Sequence, residues 1–341
     1  MGKLLDLAGL QALIDALLAR GYEVLGPTVQ QGAIVPAPVT GVDQLPRGWG
    51  DAQDAGSYRL RRRDDEALFG FAAGAQSAKP VFFPAESLLW RGRREDGSFS
   101  AEPEPYDGPP YALLGLRACD LAAVAIQDTV LTGRAFVDPD YDARRHDAFV
   151  VAVTCSDPGG TCFCVSMGTG PRPTHGYDLA MTELLDGGHR FLVEAGSDRG
   201  EEVLDALPAT EATEHDEAEA SHIAEDAASR MGRTLDTAGL KELLYDHADS
   251  PVWDDVATRC LACTNCTAVC PTCFCTDVTD VTDLSGDGAQ RERVWDSCFS
   301  ADHSYLHGGA VRASTRSRYR QWLTHKLASW VDQFGTSGCV G

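Results

Sequence analysis

"RCLACTNCTAVCPTCFC", residues 259–275, places six cysteines in seventeen positions. Cys260, Cys263, Cys266 and Cys270 are spaced C-x2-C-x2-C-x3-C, and Pro271 follows directly. Three thiolates two residues apart on a tight loop can wrap three corners of one cubane cluster. The fourth, ahead of a proline that turns the chain away, points toward a second cluster. Soft thiolates also suit zinc, although zinc sites usually draw two separated Cys pairs from opposing turns, an arrangement missing here. A redox dithiol would leave the other thiols unexplained. Iron–sulfur ligation is the favoured reading, with a colourless zinc module as the structural alternative.

A two-cluster arrangement needs a partner run. Downstream lie only Cys273, Cys275, Cys298 and Cys339. Cys339, in "GCVG", has the look of the first ligand of a second such run, and the sequence stops two residues later. Either the second motif is truncated, which we favour, or Cys273, Cys275 or Cys298 fills the vacancy.

Four more cysteines stand upstream: Cys119 in "RACD", and Cys155, Cys162 and Cys164 in "CSDPGGTCFC". Cys119 follows one expected strand and Cys155 another. If those strands are parallel neighbours, both thiols emerge at the carboxyl edge of the sheet, where open α/β sheets hold ligands. Gly159 and Gly160 would let the backbone fold closely around a bound group. A further cluster and a set of buried small hydrophobes stand about level. A third use, thiol or disulfide chemistry at these four residues, would make the chain an enzyme in its own right.

The rest of the sequence frames these thiols. At 341 residues two domains are the natural expectation. Short β-like runs, "YEVL" (22–25), "SYRLR" (57–61), "YALLGL" (111–116), "AFVVAVT" (148–154) and "RFLVEA" (190–195), alternate with helical spacing at 4–19, 121–131 and 200–207. That alternation favours a mixed α/β domain over residues 1–207. Residues 208–251 read as an acidic helical connector, and 252–341 as a small ferredoxin-like dicluster domain ending in a helix candidate at 317–334. The stretches 35–56 and 168–176 read as Gly/Pro-rich loops.

The chain carries 29 basic and 51 acidic side chains, a net charge of −22. Such a surface is a poor partner for nucleic acid. No apolar run approaches the roughly 18 residues of a membrane span, and no secretory signal is visible. The expectation is a cytoplasmic protein. In a reducing compartment its 12 cysteines are ligands or redox groups rather than a disulfide scaffold. Elsewhere the residues read blandly. The glycines of "MGTGP" precede no helix start, His303 and His307 lack the Glu of a zinc hydrolase, and Asp120 and Asp178 have no visible acid/base partner. Arg312, Arg316, Arg318, Arg320 and Lys326 form an acid-free stretch that either raises a cluster's potential and docks an acidic partner, or faces solvent.

"CLACTNCTAVCPTCFC", "VWDSCFSADHSYLHGG", "RYRQWLTHKL" and "FGTSGCVG", with "GLRACDLAAVAIQD", "CSDPGGTCFCVSMGTGP" and "GYDLAMTELL", resemble the beta subunit of cytoplasmic sulfhydrogenases of the NiFe hydrogenase type. The A subunit of anaerobic sulfite reductase is similar. The resemblance spans roughly residues 110–341. It implies a dicluster 4Fe-4S subunit passing electrons between a flavoprotein partner that handles NAD(P)H and a hydrogenase or reductase catalytic partner. Two clusters belong to the intact family pattern; the ending after Cys339 puts the second in question. The ligands implied are Cys260, Cys263, Cys266, Cys270 and Cys339, with Cys273, Cys275, Cys298, Cys119, Cys155, Cys162 and Cys164 as further candidates.

Overall fold

In the computed structural model, which describes residues 2–74 and 76–341, helices and sheets are mixed throughout. The main sheet has eight strands, in the spatial order Thr210–Glu211, Lys3–Asp6, Arg190–Ala195, Leu179–Leu184, Phe149–Val153, Tyr111–Leu116, Glu23–Gln30 and Ala33–Pro38. The four from Leu179–Leu184 to Glu23–Gln30 are parallel and the flanking pairs are antiparallel. Two of these strands read as continuous apolar runs because they are covered on both faces: Phe149–Val153 is buried at every position and Tyr111–Leu116 at its centre.

The helix expected at 4–19 is shorter. Lys3–Asp6 is a strand pairing Arg190–Ala195, and the helix runs Leu7–Ala19. Asp6 decides the boundary: its carboxylate accepts the Gly9 N–H at 2.8 Å and caps the first turn. Leu10, Leu13, Ile14 and Leu17 then bury completely on one face, the period-3.6 stripe that the sequence displays. The stretch 35–56 is not one loop: it contains the end of strand Ala33–Pro38 and the strand Trp49–Asp54. Pro36 and Pro38 are tolerated because that first strand is the sheet edge.

A second, four-stranded antiparallel sheet runs Thr276–Thr282, Gly288–Trp295, Glu86–Glu95, Ser98–Pro103. Its central pairing joins Cys-rich and N-terminal sequence, with Arg291 opposite Trp90 and Val294 opposite Glu86. A division at residue 252 remains a proposal, and this sheet crosses it. The acidic connector is packed rather than a tether. In helix Glu214–Ser229, Ala220, Ala224 and Ala227 are buried beneath a charged outer face. Leu244 of helix Leu240–Asp246 shares a small core with Trp253 and Ala328. The C-terminal helix is interrupted by a π-helical turn, His325–Ser329, between Thr315–Thr324 and Trp330–Phe334.

Candidate metal centre

Helix Val252–Arg259 stops at Cys260, where the backbone turns extended. Ala262 and Thr264 then adopt left-handed conformations, φ 50° and 66°. Side chains other than glycine or asparagine pay for that conformation, and it persists where the surroundings over-determine it. Here it curls the segment so that Cys260, Cys263 and Cys266 stay within range of one another's charge. Burial, and then Cys260 and Cys263, push the Cys266 thiol up. The Ala262 N–H donates to the Cys260 sulfur at 3.4 Å, the kind of contact that stabilises thiolate. Cys263 and Cys266 are exposed. Cys298 comes close to this group from the loop after strand Gly288–Trp295; burial, then Cys275 and Cys266, push its thiol up to about 12.

A second group forms around Lys326. Its ammonium donates to the Cys270 sulfur at 3.0 Å, to Thr272 Oγ1 at 2.7 Å and to the Gly338 carbonyl at 3.0 Å. The π-helical turn carries this lysine inward, where it is only 7% exposed. A hydrogen bond from Cys273 and the Lys326 charge hold the Cys270 thiol well below its ordinary range, against burial. Burial opposes the charge on Lys326, yet Cys270 and Cys273 hold its pKa above the usual lysine value. Cys339 also lies within reach of that charge. Its segment is fixed by Lys326 and Thr272 at the Gly338 carbonyl and by Thr169 Oγ1 donating to the Val340 carbonyl at 2.5 Å. Lys79 approaches from the other side, 4% exposed, its ammonium 3.7 Å from the Trp295 ring and 3.4 Å from the carbonyls of Thr267 and Ala268. Burial pulls its pKa down, against Cys273, Cys270 and Cys275.

The upstream thiols form a third group. Strands Tyr111–Leu116 and Phe149–Val153 are parallel neighbours, so Cys119 and Cys155 leave the sheet at the same edge. Cys162 and Cys164 join them, and all four line one cavity of about 260 Å³. Burial raises all four thiols, Cys164 to about 11. Gly160 and Gly232 are required where backbone meets backbone beside these thiols. A Cβ on Gly160 would stand 2.4 Å from the Gln53 carbonyl, and one on Gly232 would stand 2.3 Å from the Gly160 backbone. Their bareness lets three backbone segments meet under the thiol loop.

Other sequence candidates have structural duties. Asp178 accepts from the Val150 N–H at 2.8 Å and from Ser197 at 2.5 Å, and His303 is hydrogen-bonded to Asp296. The basic stretch is largely occupied within the chain. Arg318 reaches the carbonyls of Phe299 and Arg312, Arg320 that of Ala248, and Arg316 pairs with Asp254. Lys326 alone of that stretch turns to the thiols. Sequence reading did not find Lys79, nearly 190 residues from its neighbours at Thr267 and Ala268, nor Arg117, which lines the upstream cavity. No local pattern marks a lysine or arginine that will be buried beside sulfur.

The donor set fits iron–sulfur clusters. Lys79 and Lys326 are buried ammonium groups, and no carboxylate among the described residues forms an ion pair with either. Burying such a charge costs several kcal/mol unless an anion offsets it; thiolates ligating a cluster provide that anion. Among the described residues no three His, Cys, Asp or Glu side chains converge as ligands of one ion. A cubane asks for thiolates at separated corners.

Residues 259–341 match the family model described as a 4Fe-4S dicluster domain. The chain is also similar to Sulfhydrogenase 2 subunit beta of Pyrococcus furiosus, 35% identical over 306 residues, which cover 87% of this chain and 86% of that protein. No solved structure matches the chain. Among the described residues no helix is long and apolar enough to cross a membrane.

Proposed function

Because the chain belongs to the family of sulfhydrogenase beta subunits, we propose that it relays single electrons between a flavoprotein partner that handles NAD(P)H and the catalytic subunit of a hydrogenase- or sulfite-reductase-type complex. It is an iron–sulfur electron-transfer subunit of a hydrogenase-type complex. The observation that carries the finer reading is the grouping of thiols about buried, carboxylate-free lysines. Cys260, Cys263 and Cys266 hold one cluster with Cys298 as the nearby fourth thiol. Cys270, Cys339, Cys273 and Cys275 hold its neighbour. A further cluster on Cys119, Cys155, Cys162 and Cys164 extends the same reading.

When bound, such clusters accept and release one electron each. The chain's own residues set the conditions. Lys326 and Lys79 place positive charge where an added electron is stabilised, raising the potential at the Cys270 group. The Ala262 N–H and the Lys326 ammonium orient and solvate sulfur. Trp330, 2% exposed, and Phe274 at 5.6 Å between ring centroids close the Cys273/Cys275 loop to water. Cys263 and Cys266 are left at the surface, where a partner's redox centre can approach.

The rival reading, a free-standing thiol enzyme at the four upstream cysteines, asks for an accessible thiol of lowered pKa. None of the four stands exposed to a substrate: Cys164 is buried and the other three are half-buried. A stepwise redox titration of the anaerobically reconstituted chain, followed by electron paramagnetic resonance, tests the proposal. Distinct reversible one-electron reductions are expected. A protein with bound zinc and no reducible centre would overturn it.

A further inference from the structure

The cavity lined by Cys119, Cys155, Cys162 and Cys164 is also lined by Cys270 and Cys339. Two thiol groups that lie more than a hundred residues apart in sequence therefore share one internal space. Pro271 and Thr272 line it as well, so the backbone between Cys270 and Cys273 is part of the wall. Nothing in the spacing of either motif requires this; it follows from the way the Cys-rich segment lies across the carboxyl edge of the parallel strands. Gln127, on helix Ala118–Leu131, fixes that contact by donating to the Pro271 carbonyl at 2.7 Å.

A buried cation marks the upstream side. Arg117 is 2% exposed and lines the same cavity. Its guanidinium donates to the carbonyls of Thr154 at 3.1 Å, Phe69 at 2.7 Å and Phe71 at 3.0 Å, while its buried Nε has no hydrogen-bond partner. Among the described residues no carboxylate forms an ion pair with it. Asp120 lines the cavity too, but its carboxylate accepts the Arg117 backbone N–H at 3.1 Å rather than pairing with the guanidinium. Desolvating a guanidinium with only neutral carbonyls and the Phe71 ring, 4.7 Å away, about it is unfavourable unless an anion completes the site. Four soft donors, a polynuclear-sized space and an uncompensated buried cation together describe a pocket for an anionic, thiolate-ligated cluster. The arrangement repeats, with arginine in place of lysine, the one around Lys326.

Resting on the dicluster reading above, we infer that Cys119, Cys155, Cys162 and Cys164 bind a third iron–sulfur cluster that exchanges electrons directly with the group held by Cys270 and Cys339. The relay then has an order. The upstream site is the inner end, the Cys270/Cys339 site the middle, and the exposed Cys263/Cys266 site the surface end. Each hop oxidises one centre by a single electron and reduces its neighbour by the same electron; no bond forms or breaks and no proton moves. The electron enters from a reduced flavin and leaves to the catalytic subunit's acceptor, or travels the reverse route.

The full-length chain, reconstituted anaerobically with ferrous iron and sulfide, tests this in two variants. Cys155→Ser/Cys162→Ser is expected to lose about four of roughly twelve irons per chain, taking cubanes of four, with matching loss of labile sulfide. Cys263→Ser/Cys266→Ser is expected to lose a different four. In the dithionite-reduced wild type, paramagnetic signals should be broadened by spin coupling between the inner and middle sites, and the upstream variant should lose that broadening while keeping the remaining signals. Should the double variant fail to fold, Cys162→Ala, in a half-buried loop position, reports the same loss. An upstream variant that retains wild-type iron and sulfide, or zinc in place of iron at that site, overturns the inference. Failure of the dicluster reading looks different: the Cys263/Cys266 variant would then keep all its iron.

Discussion

The ammonium nitrogen of Lys326 lies 3.0 Å from the sulfur of Cys270, buried, on a π-helical turn, with hydroxyl and carbonyl oxygens as its other partners. A π-helical turn is uncommon and tends to mark function. Here it shifts the helix register so that a lysine in a basic, surface-like sequence faces inward.

Replacing this residue with an uncharged one of similar length, Lys326→Met, should lower the midpoint potential of one centre. The lost interaction is roughly 2 kcal/mol at a separation of about 8 Å and an effective dielectric of about 20, on the order of 90 mV for a one-electron couple. Lys326→Arg should recover most of it. Redox titration of the two variants beside wild type decides the matter, and an unchanged potential in Lys326→Met would contradict the role.

Trp330 packs between Phe274, Phe334 and His325, with centroids 5.6, 4.9 and 5.8 Å away. Phe274 separates Cys273 from Cys275, so the indole braces the loop that carries both. Trp330→Ala should destabilise the chain by about 3–5 kcal/mol, and Trp330→Phe by less. Denaturant midpoints measured on cluster-free protein would separate this packing effect from loss of iron. Equal midpoints for Trp330→Ala and wild type would show that the loop is braced elsewhere.

Strand Gly288–Trp295 pairs on one side with Thr276–Thr282 and on the other with Glu86–Glu95. A fragment of residues 252–341 would leave that second edge open, ready to pair with other chains, and would lack Lys79. Such a fragment should aggregate and show no cooperative thermal transition by circular dichroism. A cooperative transition with normal iron loading would make the segment a self-sufficient domain.

Much of this was legible in the sequence where the signal is local. The C-x2-C-x2-C-x3-C run, the apolar strand at 148–154 and the helical stripe from Leu10 to Leu17 each carry their own period or spacing. That Cys119 and Cys155 each follow a strand was legible from two short apolar runs; that those strands are parallel neighbours stood there only as a condition, which the structure meets. What escaped was set by distant partners. Strand Glu86–Glu95 is "ESLLWRGRRE", charged and without clean alternation, and it forms because Gly288–Trp295 lies against it. The basic stretch at 311–326 looked uniform, yet one lysine serves sulfur while most of its arginines tie down carbonyls and Asp254. Arg117 and Lys79 were invisible for the same reason: their meaning lies in what surrounds them after folding.

The most direct test of the central claim is the iron and acid-labile sulfide content of the full chain after anaerobic purification or reconstitution. About eight or more irons per chain, with equal sulfide and reversible bleaching by dithionite, is the result this account predicts, taking cubanes of four. A colourless protein that binds zinc, or one that takes up about four irons or fewer, would contradict the assignment of two thiol groups to two clusters.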